Sequence, residues 1–67
     1  MNTAMLKSVM ALHGHTNKDV ASLLGITEQS VSNKINENGT EFKQGEIAKM
    51  ATRYKLTPEQ IKAIFFD

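Results

Sequence analysis

Apolar positions recur at helical spacing along nearly the whole chain. Leu6, Val9, Met10 and His13 stand at i, i+3, i+4 and i+7, which predicts a first helix over roughly 3 to 13, ended by Gly14 and His15. Val20, Leu23 and Leu24 give a second helix its apolar side. Thr16 precedes that helix as a hydroxyl cap, Asp19 lies near the positive end of its dipole, and Gly25 supplies the turn that follows. Thr27 caps a third helix, in which Val31 and Ile35 fall within roughly 40° of each other and make the buried side. A fourth, roughly 45 to 54, carries Ile47, Met50, Ala51 and Tyr54 on one side, and Thr57, Pro58 and Gln60 open a fifth over about 58 to 65. Alternation of period two is missing, so no strand is expected. The predicted fold is all-α, a compact bundle of about five short helices, with Phe42 anchoring the loop before the fourth.

The third helix poses a question. Its outer face, Gln29, Ser32, Asn33 and Asn36, consists of short amides and a hydroxyl, which contribute nothing to a core and have middling helix propensity. Two short helices joined across Gly25 and Ile26 match a helix-turn-helix over about 17 to 36, and the small Ala21 lets the pair approach closely. If the second helix of such a pair enters a major groove, its outer face must offer donors and acceptors to base edges. Asn and Gln pair bidentately with adenine, Ser meets several edges, and Glu accepts from the amino group of cytosine.

Composition limits the alternatives. The chain has 67 residues, 40% of them hydrophobic, which suits one small domain over 1–67 with a single core. Cysteine is absent, so neither a disulfide nor a thiolate metal site can staple it. No apolar run approaches a membrane span, and MNTAMLKSVM lacks the basic and continuous apolar regions of a signal peptide, so a cytoplasmic protein without membrane attachment is expected. The net charge of +1 does not announce a nucleic-acid binder. Within Thr16–Lys43, Lys18, Lys34 and Lys43 stand against Asp19, Glu28, Glu37 and Glu41, a net of −1. His13 and His15 lack the partnered carboxylates of a metal site, and Ser30 or Ser32 has no oxyanion arrangement beside it. Neither metal, cofactor nor enzymatic activity is expected.

The run NKDVASLLGITEQSVSNKIN resembles the helix-turn-helix of the lambda-repressor-like superfamily, and NENGTEFKQGEIAKMATRYKLTPEQIKAIFF resembles small Cro-like or repressor proteins of prophages in Gram-positive bacteria. The resemblance covers residues 5 to 66, and its most specific features are ValAla at 20 and 21, LeuGlyIle at 24 to 26, SerAsnLys at 32 to 34 and the closing IlePhePhe. It implies that Glu28, Gln29, Ser30, Ser32 and Asn33 contact bases. Asn17, where Gln is more usual, clamps a phosphate, and Lys18, Lys34, Asn36, Thr40 and Lys43 lie along the DNA backbone. Glu28 departs from the commoner Gln or Arg, and a carboxylate near phosphates favours site preference over tight sequence-independent binding.

The implied function is a sequence-specific regulator of transcription, acting at the nucleoid of a bacterial host by occupying operator DNA in competition with polymerase or another phage repressor. An alternative is a protein-binding module or antirepressor that uses the same fold to contact a repressor or polymerase subunit. The charge balance predicts weak binding by a monomer, and hence a homodimer, weak in free solution, that reads two half-sites. Ile61, Ile64, Phe65 and Phe66 exceed what one short helix needs for docking, so they are the candidates for the subunit contact, with completion of the monomer core the equal alternative for the closing aromatics.

Overall fold

In the computed structural model, which describes residues 1–66, five helices follow in order: α1 (Thr3–Leu12), α2 (Asn17–Leu24), α3 (Glu28–Ile35), α4 (Gln44–Tyr54) and α5 (Pro58–Phe65). The all-helical bundle expected from the spacing is present, and the helix boundaries follow from local chemistry. Asn2 accepts from the Met5 N–H at 3.0 Å to start α1, and Gly14, at φ +67°, turns the chain after Leu12. Thr27 and Thr57 accept from the N–H groups of Ser30 and Gln60, and the Gln60 side-chain Oε1 accepts in return from the Thr57 N–H at 2.8 Å.

Thr16 is the N-cap of α2, as expected, and Asp19 closes a capping box with it. The Thr16 hydroxyl donates to Asp19 Oδ2 at 3.1 Å, and the same oxygen accepts from the Thr16 N–H at 2.8 Å. The backbone hydrogen bond, then the hydroxyl one, holds the Asp19 carboxyl below its ordinary range. A similar device starts α4 one residue earlier than the spacing predicts, because Glu46 Oε1 accepts from the Lys43 N–H at 2.9 Å.

Leu6, Val20, Val31, Ile35, Met50 and Ile64 are the largest wholly buried side chains, so every helix contributes to one core. Burial of each contributes roughly 1.5–3 kcal/mol. The loop before α4 is tied down by Phe42, as its isolation in a polar stretch predicts: it is buried and meets Phe65 edge-on, centroids 6.1 Å apart. The ends of the chain close on each other, with the Asn2 N–H donating to the Ile64 carbonyl at 2.6 Å and the Thr3 hydroxyl to the Ile35 carbonyl at 3.1 Å. Ile64 has no exposed surface, which corrects its expected place in a subunit contact: α5 turns that side chain beneath α1. Among the described residues, no helix is long and apolar enough to cross a membrane.

Gly25 closes α2 in the left-handed region at φ +69°, ψ +33°, and a Cβ built there meets nothing within 4 Å. Gly25→Ala is therefore expected to cost about 1 kcal/mol through backbone strain alone. Denaturant unfolding checks this, and a loss of several kcal/mol would mean that steric crowding, not φ, fixes the glycine.

Candidate nucleic-acid interface

The interface is built from the α2–α3 pair outward. Gly25 reverses the chain, and the Ile26 N–H donates to the Ala21 carbonyl at 3.0 Å, which locks the turn against the last turn of α2. Val20, Ala21 and Leu24 of α2 and Val31 and Ile35 of α3 are all buried, so the helices meet through the residues that the sequence assigns to their junction. With its apolar side committed there, α3 turns the remaining residues outward.

That outward face brings together most of the expected base-contacting residues. Glu28 and Gln29 are exposed, and Ser32 and Asn33 are half-exposed. Gln29 Nε2 donates to Asn33 Oδ1 at 3.0 Å, so the two amides form one platform one turn apart, with Gln29 Oε1 and Asn33 Nδ2 left to present an acceptor and a donor. Asn36, at the C-cap, donates more loosely to Ser32 Oγ at 3.4 Å. Thr16, Asn17 and Lys18 of the α2 start share an open concavity with Glu28, Gln29 and Ser32. The expected phosphate clamp therefore adjoins the expected base-contacting residues. Ser30 stands apart: its hydroxyl accepts from Thr27 Oγ1 at 3.1 Å beside the helix cap, and at 100° per residue it lies on the flank with Lys34, not with Gln29.

Lys34 requires a correction. Expected along the DNA backbone, it is only 6% exposed. Its Nζ donates to Glu46 Oε1 at 2.9 Å and to the Glu41 carbonyl at 3.4 Å, and it lies 6.0 Å from the centre of the Phe42 ring. The ammonium ties α3 to α4 and is not free for a phosphate. Burial pushes the Glu46 carboxyl up, but the hydrogen bonds from the Lys43 N–H and the Lys34 ammonium, with the charges of both lysines, outweigh it and leave the carboxyl below its ordinary range. Lys43 remains exposed at the start of α4, whereas Thr40 borders a concavity with Glu37 and Glu41.

Residue spacing gives no hint of a second cluster, at the α1–α2 turn. His15 Nδ1 lies 2.9 Å from the Tyr54 hydroxyl and Nε2 lies 3.2 Å from Arg53 Nη2, while His13 packs its ring 5.0 Å from that of Tyr54. These partners are 38 and 39 residues apart, and no periodicity links them. Among the described residues, no group of three His, Asp or Glu side chains converges as a metal site would.

A polar helix held outward across a left-handed glycine turn, beside the free start of its partner helix, defines the class: a helix-turn-helix DNA-binding domain. The chain belongs to the Cro/C1-type HTH DNA-binding domain family, whose model matches residues 5–67. No curated protein and no solved structure gives a match. The family places the protein within the lambda-repressor-like superfamily, as a DNA-binding regulator.

Proposed function

We propose that the protein is a sequence-specific regulator of transcription, a Cro-like repressor of a phage or prophage, that reads operator DNA by seating α3 in the major groove. The observation that carries this reading is the Gln29–Asn33 amide platform, which faces outward beside Ser32 and shares an edge with Asn17 and Lys18. A helix of 8 residues is about 12 Å long, enough to follow some three or four base pairs of one half-site. Glu28, Gln29, Ser32 and Asn33 read bases, with Ser30 at their margin. Asn17, Lys18, Asn36, Thr40 and Lys43 hold the backbone. Ile61 and Phe65, both half-buried, and Phe66, which is 61% exposed, supply the contact of a weak homodimer that strengthens on DNA.

Selection from random-sequence duplexes at low salt tests the reading. Enrichment of a short paired motif is expected, with binding that falls steeply as salt rises. Chemical shifts should move at Gln29 to Asn36 when the enriched duplex is added. A chain that enriches no motif, yet forms a stable complex with a phage repressor or polymerase subunit, is instead a protein-binding module or antirepressor.

A further inference from the structure

Arg53 is a cation that the fold orients without neutralising. Its Nη2 donates to His15 Nε2 at 3.2 Å, and since a guanidinium has no acceptor, that nitrogen must carry a lone pair. The His15 proton therefore sits on Nδ1 and is donated to the Tyr54 hydroxyl at 2.9 Å. Tyr54 is buried with its ring edge-on to His15, and burial pushes its phenol up. Asp19, the nearby carboxylate, is occupied by the Thr16 N–H and hydroxyl. The ion pairs among the described residues join Lys34 to Glu46 and the Met1 ammonium to Glu37. The contact with His15 thus holds a long side chain that no ion pair among the described residues engages.

The position of the cluster gives that charge a use. His15 directly precedes Thr16, the N-cap of α2, and Asn17 and Lys18 follow on the rim of the concavity beside Gln29. Thr16–Lys43 has a net charge of −1, and Lys34 is withdrawn into its pair with Glu46, so the helix-turn-helix lacks the cations that a polyanion requires. We propose that Arg53, held by His15, is a phosphate clamp contributed by α4 that flanks the start of α2. Holding the side chain in place before binding reduces the ordering cost of the contact. This inference rests on the DNA-binding reading above.

A salt titration of Arg53→Gln against the wild type tests it, using the selected duplex and a shuffled one. The slope of log K against log salt should become shallower by about 0.9, the value for one phosphate. Affinity should fall equally on both duplexes, leaving site preference unchanged. Arg53→Lys should keep the slope. His15→Phe, which retains a ring against Tyr54 but removes the acceptor, should weaken binding and also keep the slope. Circular dichroism establishes that each variant is folded, and the long-range ¹H–¹⁵N spectrum of His15 should show the Nδ1–H tautomer. An unchanged slope in folded Arg53→Gln, while Gln29→Ala with Asn33→Ala still abolishes site preference, would overturn the clamp and spare the DNA reading. A wild type without salt-dependent DNA binding would overturn both.

Discussion

Glu46→Ala is expected to destabilise the domain by about 3 kcal/mol, a large share of what a chain of 67 residues has in reserve. Three losses coincide. The Lys34 ammonium, 8% exposed at its side chain, keeps only a long contact with the Glu41 carbonyl. The Lys43 N–H loses the carboxylate that starts α4, and the tie between α3 and α4 disappears. Lys34→Met in the Glu46→Gln background should recover most of the loss, since Met fills the lysine stem's path and the Gln carbonyl oxygen can still accept from Lys43. Urea unfolding of Lys34→Met, Glu46→Gln and the two combined closes the cycle, and strict additivity would show that the two side chains do not depend on each other.

The same pair sets a direction for pH. The Glu46 carboxyl lies below its ordinary range in the folded chain. Its contribution to stability is therefore complete above that range and is lost as the pH falls through the depressed folded value. Asp19, also depressed, acts in the same direction from an exposed position. Acid unfolding of Glu46→Ala should begin from a lower plateau and show a smaller further loss over that interval.

The Lys34–Glu46 pair also marks where sequence reading stops. Helix starts were legible because a cap is local: Thr27 and Thr57 meet partners three residues on, and an apolar stripe needs only spacing to declare its side. The outer face of α3 was legible for the same reason, as the remainder once Val31 and Ile35 had been assigned to the core. The burial of Lys34 is not legible along the chain because it depends on a carboxylate 12 residues away, across a loop that Phe42 anchors. At the C-terminus, spacing groups Ile61, Ile64 and Phe65 on one side of α5 but cannot say which of them α1 covers. The packing decides it: Ile64 has no exposed surface, whereas Ile61 and Phe65 stay half-buried. His15, Arg53 and Tyr54 meet only when α1, α2 and α4 have packed, and no pattern along the chain anticipates a histidine holding an arginine.

Gln29→Ala combined with Asn33→Ala is expected to separate function from stability, because the two quantities should move in opposite directions. Neither side chain belongs to the core, and Ala is the better helix former by a few tenths of a kcal/mol at each position, so the melting temperature should stay level or rise. Binding to the selected duplex should fall by about 2 kcal/mol, roughly thirtyfold, since a well-placed amide pair on a base edge contributes about 1–3 kcal/mol of discrimination. Binding to a shuffled duplex should hardly change, because the proposed phosphate contacts at Asn17, Lys18 and Lys43 are untouched. The hydrogen bond from Gln29 to Asn33 adds a finer expectation. Either single variant releases its neighbour from the shared platform, so each alone should cost more than half of the double loss. Equal losses on both duplexes would show that α3 supports binding without reading sequence, and a drop in melting temperature would assign the amide platform to the fold.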